Sequence, residues 1–125
     1  PKAGKILASP ADATPAPPCD ARPEEIDIAV TVNRVEEAIK VSVGHIEHTW
    51  AGRRSFVADK TPVVGFDPKE DGFFWLAGQG GYGIMTSPAI AEAATALVIG
   101  NSWPAIFDGT GVHKGELSPE RDALL

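Results

Sequence analysis

The stretch Gly72–Pro88, GFFWLAGQGGYGIMTSP, constrains this chain more than any other. Four apolar residues, Phe73 to Leu76, run into glycines at 78, 80, 81 and 83, and a helix-compatible segment follows. Gly78, Gly80 and Gly83 fit the spacing GxGxxG. A dinucleotide-binding unit with that spacing also needs a second parallel strand after its helix and an acid about 20 residues beyond the glycines. Here the helix gives way to GNSWPAIFDGTG, with Asp108 in a loop and no strand to receive a crossover. Two uses of the glycines remain open. One is a tight turn that packs strand against helix. The other is a place where backbone N–H groups and a helix N-terminus approach a flat or anionic ligand.

The remaining chain reads as one domain's worth of mixed α+β structure. Its 125 residues and 43% apolar content allow a buried core. No run approaches the about 18 apolar residues of a membrane span. A net charge of −6 argues against a nucleic-acid partner, whose binders carry basic patches. The chain opens Pro-Lys-Ala-Gly without Met and without a signal-peptide pattern, and we read it as a piece of a longer polypeptide. Cys19, the single cysteine, sits among prolines with no flanking basic residue; this points to a reducing, cytoplasmic compartment and an inert thiol.

Lys5–Ser9, KILAS, is a strand candidate, and the Pro-rich PADATPAPPCDARP after it is a surface loop. Pro23-Glu24-Glu25 suits a helix start. IDIAVTVNRVEEAIKV fits both an alternating strand and a helix, and its length favours the helix. HIEHTWAGRRSF reads as a strand, ADKTP as a turn, and Val63-Val64 as a short strand. FDPKEDG is a hairpin-like loop into strand Phe73–Ala77. Ser87-Pro88 caps a helix that runs through Ile99 and stops at Gly100-Asn101, with Ala89, Ala93 and Ala96 on a close-packing face. Ser118-Pro119-Glu120 opens a last helical turn. His45 and His48 point to opposite faces of a strand, so no metal pair is expected. Glu24-Glu25 and Glu36-Glu37 are solvated helix charges. No nucleophile–His–acid set and no pair of catalytic carboxylates is present.

The segments SPADATP, PEEIDIA, EHTWAGRRSFVADKTPVVGFDP and GFFWLAGQGGYGIMTSPAI, in order and with similar spacing, resemble the C-terminal part of FAD-dependent D-amino-acid dehydrogenases. Within the D-amino-acid oxidase and glycine oxidase superfamily, the segments resemble the catabolic D-arginine dehydrogenases. The resemblance implies a C-terminal piece of a two-domain enzyme, inactive by itself, whose partner is the N-terminal part of the same polypeptide. Residues 1–49 would belong to the substrate domain, 50–104 to the FAD domain, and 105–125 to a tail.

It further implies FAD as cofactor and a D-amino acid as substrate, oxidised by hydride transfer to the flavin; a glycine or sarcosine oxidase-type amine oxidase is the alternative. Arg54 matches the arginine of the family's W-A-G-L-R-S-F pattern, which forks onto the substrate carboxylate. Gly81 and Ile84 match positions lining the substrate space. Gln79, Gly80, Gly81, Tyr82, Gly83, Ile84 and Met85 would face the flavin ring. No catalytic acid or base in this chain follows from the resemblance. Met85 stands where the family commonly has Gln, which removes a polar side chain near substrate or flavin. Arg53 replaces an apolar family residue; strand alternation turns it away from Arg54, to solvent or a salt bridge.

Overall fold

The protein is described by a computed structural model covering residues 4–124. It divides into two compact units, Pro1–Arg53 and Arg54–Leu125.

The first unit is built on one helix, α1 (Glu25–Ile39). The helix wins over the alternating-strand pattern because its start is well specified: Pro23 precedes it and Glu25 and Asp27 occupy its first turn. Thr31 reinforces it by donating its hydroxyl to Asp27 O at 2.7 Å. The helix ends at Lys40 in a left-handed conformation (φ 51°). None of its residues is buried. Residues 6–9 run beside its Thr31, Val35 and Ala38 side, and Arg34 donates to Pro10 O at 3.0 Å. The expected strand Lys5–Ser9 therefore does not form. The apolar pair Ile6-Leu7 has strand propensity, but no ladder is available to it among the described residues.

The second unit contains every buried residue of the described chain: Val63, Val64, Gly65, Gly78, Ile90, Ala93, Ala96, Phe107 and Leu117. Strands β1 (Val63–Phe66) and β2 (Phe74–Ala77) form an antiparallel hairpin in the register Val64↔Leu76, Phe66↔Phe74. The loop closes as its composition suggests. Asp67 Oδ1 accepts from the amides of Lys69 and Glu70 (2.8 and 3.0 Å), and Oδ2 accepts from Trp75 Nε1 at 2.7 Å. These bonds, the Trp75 indole first, hold the Asp67 carboxyl below its usual range.

Helix α2 (Gly83–Ile99) lays Ile90, Ala93 and Ala96 inward, and α2 packs against β1. The helix starts at Gly83, so Ser87-Pro88 is not its cap but lies in its second turn. Pro88 has no N–H for Ile84 O, and the Ser87 hydroxyl donates to that carbonyl instead at 2.9 Å. At the other end Gly100 (φ 74°) and Asn101 both bring their amides to Ala96 O.

The tail returns to this core. A 3₁₀ turn at Ala105–Phe107 stacks Phe107 on Trp103 (centroids 4.7 Å apart). Helix α3 (Lys114–Leu117) then buries Leu117 beside Val64 and Ile90, with Phe74, Leu97, Trp103 and Val112 around them. Burying Leu117 contributes roughly 1.5–3 kcal/mol. This turn falls just before the expected Ser118-Pro119-Glu120 start, and a final 3₁₀ turn follows at Asp122–Leu124. Pro119 rests on Gly65, where a Cβ would come within 2.9 Å of its ring.

Arg121 ends the chain's packing. Its Nε and Nη2 fork onto Asp59 (2.7 and 3.0 Å), and the remaining N–H groups reach Thr61 O, Pro62 O and Ser118 O. All five guanidinium donors are used. The Arg121 hydrogen bonds, chiefly, lower the Asp59 carboxyl from 3.8 to about 2. A depressed native value stabilises the fold fully above the unfolded value and loses that effect as pH falls through the native one. The clamp is thus intact at pH 5 and lost between pH 4 and 2. Acid unfolding followed by Trp103 fluorescence should show a stability slope in this window, and Asp59→Asn should flatten it.

Candidate functional site

The glycine cluster is a turn, and the backbone explains why glycines occupy it. Strand β2 stops at Ala77 because Gly78 and Gly80 take left-handed conformations (φ 70° and 54°) that L side chains disfavour. Tyr82 N then closes on Gln79 O at 3.1 Å, and α2 begins.

The second reason for glycine is contact with residues 54–57. A Cβ on Gly78 would stand 3.1 Å from Val57 Cγ1, one on Gly80 would stand 2.6 Å from the Phe56 ring, and one on Gly81 would stand 2.9 Å from Arg54 Nη1. Gly83 is crowded instead by Gln79 within the turn itself (3.1 Å). A single backbone bond, Gly80 N to Ser55 O at 3.0 Å, ties the two segments together. The Arg54 guanidinium also lies 5.3 Å from the Phe56 ring centroid, a cation–π distance.

The expected strand His45–Phe56 is absent as a paired element. Its aromatic and β-branched content is strand-like, but the left-handed glycines prevent β2 from extending a ladder along residues 54–57. One bond forms where a strand would form several.

Arg54 and Gly81 therefore meet directly. Phe56, which sequence reasoning did not single out, completes the contact; its signal was the two-residue alternation from Arg54. Arg53 is exposed, as expected of a solvated residue, but among the described residues it meets backbone carbonyls rather than an acid. Within the first unit it donates to Ala16 O and Cys19 O (3.1 Å each) and to Pro17 O, and meets Cys19 Sγ. Its role there is to hold the Pro-rich loop, a set of carbonyl acceptors that no sequence spacing announces.

The other residues of interest form the exposed entrance to α2. Tyr82, Ile84 and Met85 are 66, 92 and 78% exposed. Tyr82 supplies no side-chain cap, so the first-turn amides of Gly83, Ile84 and Met85 have no intrahelical acceptor and no capping oxygen. A guanidinium thus lies against Gly81, and uncapped amides and exposed apolar side chains follow it within four residues of chain. Such a set suits a planar group with an electron-rich edge, together with a small carboxylate.

Residues 1–97 match the FAD dependent oxidoreductase family, and the chain belongs to it. Among curated proteins, the glycine oxidase of Bacillus licheniformis is similar, 34% identical over 56 residues. That alignment covers 45% of this chain and 15% of the relative. No helix of the described residues is long and apolar enough to cross a membrane.

The glycine contacts separate two substitutions. Gly80→Ala combines positive φ with a collision against an aromatic ring, and should lower stability by about 1–3 kcal/mol. Gly81→Ala meets only the far end of Arg54 at an ordinary φ, and should change stability by less than about 0.5 kcal/mol while displacing the guanidinium. Thermal melts of the two variants on matched preparations test this ranking.

Proposed function

We propose that the protein carrying this chain deaminates D-amino acids oxidatively with FAD, and that Arg54 anchors the substrate carboxylate. The observation that carries this reading is the Arg54 guanidinium held against Gly81, beside the uncapped start of α2. FAD, when bound, accepts the hydride equivalent removed from the substrate α-carbon, and the resulting imino acid hydrolyses to a 2-oxo acid and ammonia.

This chain's residues contribute placement. Two parallel N–H donors from Arg54 would fix both carboxylate oxygens and hence the direction of the α-C–H bond. The amides of Gly83, Ile84 and Met85, with the positive end of α2, would stabilise negative charge at the edge of the flavin ring. Gln79 through Met85 would pack on the ring, and Gly81 and Ile84 would border the substrate. Cover by ring and substrate would account for the exposure of Ile84 and Met85. Within the D-amino acids, the resemblance of the segments from SPADATP to GFFWLAGQGGYGIMTSPAI supports a D-arginine dehydrogenase type, while Met85 in place of the family's Gln makes the side-chain preference a matter for measurement.

A second reading, a glycine or sarcosine oxidase-type amine oxidase, is favoured by the similarity to glycine oxidase. Both substrate classes carry the carboxylate that Arg54 would hold. A panel of D-arginine, other D-amino acids, glycine and sarcosine, followed by flavin bleaching and 2-oxo acid release in the full-length protein, chooses between them.

Arg54→Ala in the full-length protein should cost about 2–4 kcal/mol in kcat/KM and leave flavin content unchanged. Arg53→Ala should cost far less. Equal losses in the two variants would remove Arg54 from the site.

A further inference from the structure

The turn that follows the Arg54 segment is held by a residue far along the chain, outside the stretch that carries the family match. Lys60 N closes on Val57 O at 2.9 Å, which makes residues 57–60 a turn between the Arg54–Val57 segment and β1. Arg121 grips that turn and the two residues after it at three acceptor residues, through the Asp59 carboxylate, Thr61 O and Pro62 O. The Arg121 side chain is 9% exposed and the Asp59 side chain 24%. Asp59 Oδ1 also accepts the amide of Thr61 at 3.0 Å, so the carboxylate is fixed from both sides. The grip is anchored in turn: Leu117 sits in the core and Pro119 rests on Gly65. By contrast, a single backbone bond, Gly80 N to Ser55 O, links residues 54–57 to the glycine turn.

We propose that Arg121 is a positioning residue for Arg54. By fixing the turn at 57–62 it sets the register in which Phe56 lies on Gly80 and the Arg54 guanidinium lies on Gly81. The proposal rests on the reading of Arg54 as carboxylate anchor only for its catalytic consequence, because the geometric claim stands without it. Lysine cannot replace Arg121: one ammonium cannot fork onto Asp59 and reach Thr61 O and Pro62 O together.

Two measurements test this. In NMR spectra of the chain, the Phe56 ring should shift the Gly80 α-protons, and the bond to Ser55 O should protect the Gly80 amide. Arg121→Ala and Arg121→Lys should abolish that shift and speed Gly80 amide exchange by about tenfold or more, with the Trp75 indole signal unmoved. Asp59→Asn, which keeps the three carbonyl contacts of Arg121, should give a smaller change of the same kind. In the full-length flavoprotein, Arg121→Ala should raise KM about tenfold with kcat little changed, whereas a loss of scaffold alone would lower flavin content and kcat together.

An unmoved Gly80 signal in folded Arg121→Ala overturns the proposal. So does joint loss of the Gly80 and Trp75 signals in all three variants, which would make Arg121 part of the general scaffold. If Gly80 moves but neither Arg121→Ala nor Arg54→Ala changes KM, the positioning stands and the carboxylate reading fails. If Arg54→Ala raises KM while Gly80 stays fixed in Arg121→Ala, the reverse holds.

Discussion

The second unit depends on the absence of side chains at Gly78, Gly80 and Gly81. Three neighbours, Val57, Phe56 and Arg54, occupy the volume that Cβ atoms would take, at 3.1, 2.6 and 2.9 Å. The same residues that bend the chain out of β2 also admit the segment that carries Arg54. Turn geometry and close approach are one constraint here, because positive φ at Gly78 and Gly80 ends the strand and leaves the space. The packing reading and the ligand-facing reading of the cluster do not exclude each other. Gly78, Gly80 and Gly81 are committed to protein contacts, while Tyr82, Ile84 and Met85 open toward solvent.

The two units differ in how they are held. The second has a small buried core of β1, α2 and α3 residues, closed by stacked aromatics and by Arg121. Among the described residues the first has no buried residue and one helix, whose 15 residues would be marginal in isolation. Its order comes from polar ties instead: Arg53 to three loop carbonyls, Arg34 to Pro10 O, Glu36 to the Val43 amide, and the Lys5–Glu47 ion pair. Such bonds specify loop paths more than they supply free energy, since exposed pairs contribute little each.

Local chemistry made the hairpin and both long helices legible. FDPKEDG between apolar runs gave the loop, Pro23-Glu24-Glu25 gave the start of α1 and length favoured helix over its alternating pattern, and Gly100-Asn101 marked the end of α2. Pairing was not legible, because strand propensity at residues 5–9 and 45–56 says nothing about whether a ladder is available. The start of α2 was misplaced for a related reason: Ser87-Pro88 is a strong cap signal, while Tyr82 cannot cap and Gly83 is a poor helix former. At the candidate site, resemblance singled out Arg54 and Gly81, and the fold set them in contact across 27 residues of chain, from 54 to 81. Phe56 could have been read from alternation. Arg121 could not, since its partners are carbonyl oxygens and one aspartate about 60 positions away.

The exchange of donors at Ser87 and Pro88 has a mechanical meaning. Elsewhere in α2 each turn is joined to the next by rigid peptide planes. At Ile84 O the rung is a hydroxyl on a rotatable Cα–Cβ bond. One of the rungs that couple the turn bearing Ile84 and Met85 to the turns bearing Ile90, Ala93 and Ala96 thus runs through a torsion angle rather than a plane. The inner part of the helix answers to the core, and the softened rung lies at the end that faces outward.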